Sequence, residues 1–299
     1  MSHYDFCLTW CWEFDVDFVR LVEASCIESG LTFLSVTSGN LSQVLSDIEI
    51  GALTFSAHLD RTEHELPYEP VFQWAKTHAR YRINPLEIAD LAEDKATMHL
   101  ELVGAGLMTP YTIILPSCNE QPFLSVMDLS LLGEGFVIKP SFGGGGQGVV
   151  LDARSFDQVL TRRAEYPDLK YLIQKNITSK KLDGKETWFR VIYCDGYIYP
   201  CWWDTHTHIY TLVNPREETL YGLSPLKVII GQIADLCKLG FFSTEIAFSS
   251  EDQWIVVDYV NDQIDMRLQS QAVDGVPDEV VKRVTINLAN MIKRELSSE

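Results

Sequence analysis

Lys139 is followed, four residues on, by a run of four glycines, Gly143, Gly144, Gly145 and Gly146, and then by Gln147 and Gly148. Without a Cβ, such a run lets backbone N–H groups close over phosphate oxygens in conformations other residues cannot reach. The apolar stretch Phe136-Val137-Ile138 ends on that lysine, where a fixed ammonium can meet the same oxygens. An isolated glycine run is also a common flexible hairpin loop. The apolar flanks, with Val149-Val150-Leu151 on the far side, argue against that here. No Gly-Lys-Ser/Thr opens a helix, so this is not a Walker A loop.

A second constellation lies towards the C-terminus. Glu245 sits in Phe241-Phe242-Ser243-Thr244-Glu245-Ile246-Ala247-Phe248, and Asp258, Asn261 and Asp262 follow the apolar run Ile255-Val256-Val257. A carboxylate inside an apolar strand is costly unless something neutralises it. Two such strands back to back point to a divalent cation, Mg²⁺ or Mn²⁺, held by Glu245, Asp258 and Asn261 and bridging to nucleotide phosphates. Taken alone, Glu245 could equally be a solvent-facing residue of an edge strand.

The elements that must position these groups can be read from periodicity. Asp5 to Trp10, Leu31 to Val36 and Ala52 to Ala57 read as strands, separated by helices at Asp15 to Glu28 and Leu41 to Asp47. This order predicts a small parallel sheet, and no G-x-G-x-x-G follows the first strand to make it a dinucleotide fold. After a helix at Lys95 to Val103, the pattern changes to strands at Tyr111–Leu115, Gly135–Lys139 and Tyr171–Lys175, with a helix at Ser155–Arg163. The last third predicts strands at Thr187–Tyr193 and Tyr197–Trp202, a helix at Pro225–Lys238, the hairpin Phe242–Phe248/Trp254–Val260, and a helix from Asp278 to Arg294. The fold class is thus mixed α/β and α+β.

Composition narrows the function classes. The 299 residues are 46% hydrophobic and 22% charged, an ordinary globular balance. With 24 basic against 42 acidic residues the formal charge is −18, which repels nucleic acid. No stretch approaches a membrane span. The start lacks a basic region followed by a long apolar one, so a cytoplasmic protein is expected. Seven cysteines, with no C-x-x-C pair, read as reduced core residues.

At this point the chain resembles the ATP-grasp superfamily, most of all the carboxylate–amine/thiol ligases that include the ribosomal-protein glutamate ligase, glutathione synthetase and D-alanine–D-alanine ligase. The resemblance covers roughly residues 1 to 295. It implies a pre-ATP-grasp domain at 1–93, a central lobe at 94–178 and a C-terminal lobe at 179–299, the last two clasping ATP. It makes Lys95 and Lys139 the two nucleotide-binding lysines. The segment Gly143, Gly144, Gly145, Gly146, Gln147 and Gly148 becomes the mobile loop over the phosphates. Tyr171-Leu172-Ile173-Gln174-Lys175-Asn176-Ile177 resembles the adenine hinge, giving Gln174, Lys175 and Ile177 as nucleotide contacts. Arg190 matches a phosphate-binding arginine, and Glu245, Asp258 and Asn261 match the metal ligands. Two features depart from the family. The hinge lacks the usual ribose-binding glutamate. The metal motif has two spacers between Asp258 and Asn261 instead of one, and strand alternation would turn residues three apart to opposite faces. Either a bulge or strand end intervenes, or one of the two is not a ligand.

For a second substrate, the loops after the first three strands are the expected place. There Glu13 could receive an amine and Arg61 a carboxylate, although both read first as plain surface residues; Arg267, after the metal strand, is the stronger candidate. His206 and His208 would share one strand face and read as ordinary strand histidines for want of a third ligand. Trp202 through Tyr221 could form a large loop over ATP with Arg216 on a phosphate. The resemblance implies a ligase that activates a small carboxylate, which could be an amino acid or peptide, for attack by an amine. Lys139, Arg190 and Arg267 would be catalytic. A small-molecule kinase or a non-catalytic ATP-binding module are the alternatives, and a homodimer is an open option.

Overall fold

The computed structural model describes residues 1–298; Glu299, the last residue of the expected C-terminal lobe, lies outside them. The N-terminal region runs β1 (Ser2–Trp10), α1 (Val16–Glu28), β2 (Phe33–Val36), α2 (Leu41–Glu49), β3 (Leu53–Arg61), α3 (Glu69–His78), β4 (Tyr81–Ile83) and α4 (Leu86–Glu93). The four strands form a parallel sheet in the order β2-β1-β3-β4. Alternation divides it between two cores. Phe6, Leu8, Ala57 and Leu59 face one side with α1, whereas Cys7, Leu34 and Val36 face the other with Val44 of α2 and Val71 of α3. Periodicity did not show α3, β4 or α4. It also ended the third strand at Ala57, whereas β3 continues through Arg61, so His58 to Arg61 is strand and not loop.

The middle of the chain contributes α5 (Lys95–Gly104), β5 (Thr112–Leu115), β6 (Phe136–Pro140), β7 (Val150–Ala153), α6 (Phe156–Glu165) and β8 (Tyr171–Lys175). Its antiparallel sheet has the order β5-β8-β6-β7 and packs on Val159 of α6 through Phe136, Ile138 and Ile173. Helix α6 starts with a reciprocal Ser155–Gln158 capping box. Helix α5 is capped by Asp94, whose side chain accepts from the Ala96 amide. It buries Ala96, Met98 and Leu102 in a core shared by the C-terminal region and Leu172 of the middle sheet.

The C-terminal region comprises β9 (Lys181–Leu182), β10 (Lys185–Glu186), β11 (Trp188–Cys194), β12 (Tyr197–Trp203), β13 (Tyr210–Leu212), α7 (Pro215–Tyr221), α8 (Pro225–Cys237), β14 (Phe241–Phe248), β15 (Trp254–Asn261) and α9 (Asp278–Ser297). Its antiparallel sheet, β13-β12-β11-β14-β15, has α5 and α8 on one face. On the other face lies α9, whose Val280, Val284, Leu288 and Ile292 share one core with α1 and the parallel sheet.

Three expectations need correction. His206 and His208 are not strand residues: the Asp204 carboxylate accepts from the His206 and Thr207 amides (both 2.9 Å), closing a turn after β12. Residues 202–221 are not one large loop but the end of β12, this turn, β13 and α7, with Arg216 exposed on the helix. Five of the seven free cysteines are buried, but Cys11 is exposed and Cys118 half-buried. Among the described residues no single helix is long and apolar enough to cross a membrane.

Candidate nucleotide and metal site

Glu245 can sit in an apolar strand because Arg190, on neighbouring β11, lies directly opposite it. The guanidinium NH1 is 3.1 Å from Oε1, and the Trp188 indole donates to Oε2 at 3.2 Å. Arg190 also donates from Nε to Ser243 Oγ (3.3 Å) and stacks over the Trp203 ring at 5.3 Å. Asp258 of β15 pairs with Glu245 from the other side. Burial drives the Glu245 carboxyl above its usual range. Burial would raise Asp258 too, but Lys139, Lys95 and Arg190 outweigh it and hold that carboxyl down.

The irregular spacing of the acidic motif has a geometric answer. Ser243 pairs with Asn261 and Glu245 with Asp258, so two steps along β14 correspond to three along β15. The extra residue is a β-bulge, and it returns Asn261 to the side of Asp258. Asn261 adds to the depression of the Asp258 carboxyl without forming a full hydrogen bond, for its buried Nδ2 has no partner. Such an orphan is rare, and an amide oxygen turned into the same position would be a hard ligand. Two carboxylates and this amide therefore fit Mg²⁺. Among the described residues no three His, Cys, Asp or Glu gather as a self-sufficient metal centre, so phosphate oxygens would have to complete the shell.

Lys139, at the end of β6, reaches this cluster from the middle sheet. Its buried ammonium donates to Val257 O (3.1 Å), lies 4.0 Å from Asp258 Oδ1 and sits 5.1 Å from the Tyr259 ring centre. Burial lowers its pKa; Asp258 partly compensates. Lys95, in the first turn of α5, donates from Nζ to Gly143 O (2.7 Å) and from its amide to Ser141 O (2.8 Å). One lysine thus ties the glycine loop to the acidic hairpin whose Asp258 it helps to ionise.

The glycine loop is less uniform than its sequence. Gly143, Gly145, Gly146 and Gly148 all have positive φ, and a Cβ on Gly148 would come within 3.0 Å of Tyr166. Gly144 differs from its neighbours. It lies outside the left-handed region, and a Cβ there would meet nothing within 4 Å. Its carbonyl accepts from the Gln147 amide at 3.1 Å, so it closes a turn of the loop. Gln147 itself is exposed.

The remaining candidates divide. Lys175 is exposed at the end of β8 and Ile177 is half-buried beyond it. Gln174 turns inward instead: it is buried, and Nε2 donates to Thr112 Oγ1 (2.9 Å) and Tyr259 OH (2.7 Å). Arg267 is clasped by Asp265 (2.7 Å) and Asp274 (2.9 Å) and lies 5.6 Å from the Trp12 ring centre. Glu13 is exposed, as read. Arg61 is not a surface residue: it is buried, forked onto Asp15 and bonded to Ile264 O. Beyond β3 and β4, where a second substrate was expected, a cleft is lined by His58, Asp60, His64, Lys76 and Arg82. Sequence reasoning missed Trp188, Ser243 and Tyr259; only the adjacency of Tyr259 to Asp258 could have signalled one of them.

No protein-family model matches the sequence, and no curated protein sequence matches it. Solved structures do. D-alanine–D-alanine ligase from Bacillus anthracis, complexed with ATP, superposes with a TM-score of 0.63 at 14% identity, over 98% of this chain and 99% of that one. A RimK domain ATP-grasp protein from Sphaerobacter thermophilus gives 0.63 at 17%, over 96% and 99%. The ATP-grasp ligase PsnB, complexed with a minimal precursor, Mg and ADP, gives 0.62 at 13%, over 98% of each chain. Matches this complete, at identities too low to carry function, establish architecture: the chain has the ATP-grasp fold.

Proposed function

We propose that the chain binds Mg-ATP between the middle and C-terminal sheets and uses it to activate a small carboxylate as an acyl phosphate for attack by an amine or similar nucleophile. One observation carries the reading: Lys95, Lys139 and Arg190 converge on Glu245 and Asp258, with the glycine loop tied to the same place. The solved ligases with ATP, or with Mg and ADP, support it by analogy. On this reading residues 94–178 and 179–299 are the clasping lobes and 1–93 offers the second substrate. Seven unpaired cysteines support a cytoplasmic location.

Glu245, Asp258 and Asn261 would hold Mg²⁺, which when bound neutralises charge on the phosphates. The substrate carboxylate oxygen attacks the γ-phosphorus and ADP leaves; the amine then attacks the acyl carbon, phosphate leaves, and the amine proton goes to solvent. Lys139 and Arg190 stabilise the charge that develops on the transferred phosphoryl group, and the glycine-loop amides exclude water from it. Arg267 would release Asp265 and Asp274 to take the substrate carboxylate. No protein nucleophile is needed.

Titration calorimetry of the full chain with Mg-ATP tests this, and absence of binding overturns it. Product analysis across a library of acids and amines then separates the outcomes. ADP with free phosphate and a joined product supports a ligase, phosphate retained on the product means a kinase, and binding without ADP means a nucleotide sensor.

A further inference from the structure

Gln174 resembles a nucleotide-contacting hinge residue in sequence, yet its side chain points away from solvent, and what it holds is informative. Its amide donates to the phenol oxygen of Tyr259 at 2.7 Å. The same oxygen is 2.7 Å from Nδ1 of His99 on α5. Burial and the neighbouring Lys139 lower the pKa of that imidazole, and the phenol oxygen, which accepts from Gln174, shares a second hydrogen bond with the His99 ring. All three side chains are buried. The ring oriented by these two bonds is the one under the Lys139 ammonium. Strand β15 therefore meets Lys139 three times in succession, through the Val257 carbonyl, the Asp258 carboxylate and the Tyr259 ring. In a regular strand the last two side chains would point to opposite faces. Here the register shifts on either side of Asp258 bring both within reach.

We infer that Tyr259 is a positioning residue: the relay Gln174–Tyr259–His99 locks its ring and so fixes where the Lys139 ammonium stands against a bound triphosphate. The relay spans all the parts that must be aligned, because Gln174 belongs to β8, His99 to α5 and Tyr259 to the hairpin that carries Glu245 and Asp258. A lysine on a flexible stem needs such a seat, since unlike arginine it brings no rigid fork of its own. Its relevance to catalysis rests on the nucleotide reading above. The seating of Lys139 does not.

The decisive variants are Tyr259→Phe, which keeps the ring and removes the relay, and the double variant Tyr259→Phe/Lys139→Met. Mg-ATP affinity by calorimetry should fall about tenfold in Tyr259→Phe, the scale of one lost hydrogen bond. In the Lys139→Met background the same change should cost nothing further, which a merely structural role would not produce. Independently of nucleotide, NMR of ¹³C-labelled lysine should show the Lys139 side-chain protons, identified by their loss in Lys139→Met, shifted upfield by the Tyr259 ring. In Tyr259→Phe that displacement should shrink as the ring loses its fixed orientation. Equal losses of affinity in both backgrounds, or an unmoved Lys139 signal, overturn the inference. Should Tyr259→Phe fail to fold, Gln174→Leu cuts the relay from the other end and reads the same two quantities. Should the wild type bind no Mg-ATP, the proposed function falls while the Lys139 signal still decides the positioning.

Discussion

Arg61 and Lys139 are both buried cations beside an aspartate, but the first is saturated and the second is not. Arg61 makes two bonds to Asp15, at 2.7 and 2.8 Å, a third to the Ile264 carbonyl, and lies 4.8 Å from the centre of the Phe18 ring. Lys139 makes one hydrogen bond, to a carbonyl, and stands 4.0 Å from its carboxylate. An ammonium has three donors, so among the described residues two are unmet in a place that water reaches poorly. A fully paired buried charge has nothing left to offer a ligand. An underpaired one, in the same cluster as the orphaned amide of Asn261, keeps donors in reserve, as the proposed phosphate contact requires.

The strongest way to break that comparison is through stability. Arg61→Met should leave Asp15 buried and unpaired and cost about 3–5 kcal/mol in urea unfolding. Adding Asp15→Asn should recover much of it, and an unchanged Arg61→Met midpoint would show that the pair is not what closes the N-terminal region onto residue 264. Lys139→Ala should do the reverse, with the melting temperature unchanged or raised and turnover down by about 10²–10³-fold. Retained turnover would mean that the phosphate clamp lies elsewhere. Asp258→Asn should raise the Mg²⁺ concentration for half-maximal ADP release by at least the about tenfold that losing an outer metal partner costs. A smaller rise would remove Asp258 from the ligand set.

A buried neutral group sharpens the contrast. Burial depresses His58 from an ordinary 6.5 to about 4. The unfolded chain therefore binds the proton first, and this group's contribution is lost as pH falls from about 6.5 to about 4, by at most about 1.4 kcal/mol per pH unit. Thermal unfolding of His58→Asn should be flatter than wild type across that window and parallel to it above. Smallest of all, Lys180→Ala, which removes an exposed pair with Asp252, should change stability by less than about 0.5 kcal/mol.

These contrasts also show what could be read in advance. The types at Lys139, Glu245 and Asp258 were visible because a charge ending or interrupting an apolar strand is anomalous by itself. Whether Asp258 and Asn261 share a face was not, since the bulge is set by pairing with β14. Arg61 was misjudged because its partner lies 46 residues away, and no local pattern distinguishes a forked arginine from a solvated one. The inward turn of the Gln174 side chain was not legible for a similar reason, its hydrogen-bond partner Tyr259 being 85 residues distant. Elements α3, β4 and α4 were not read at all: Pro67, Pro70 and Pro85 break the pattern and β4 spans only Tyr81–Ile83, so tertiary packing decides their order.

The long helix α9 carries a consequence for how the molecule comes into being. Residues 278–297 supply one wall of the core in which Phe6, Leu8 and Phe18 are buried. Emerging from a ribosome, β1 to β3 can pair early, yet one face of their sheet stays wet until residues 278–297 have been made. The sheet is in effect buttoned by a helix far from it in sequence, so a nascent chain stalled before residue 278 would display an adhesive patch that helper proteins must shield.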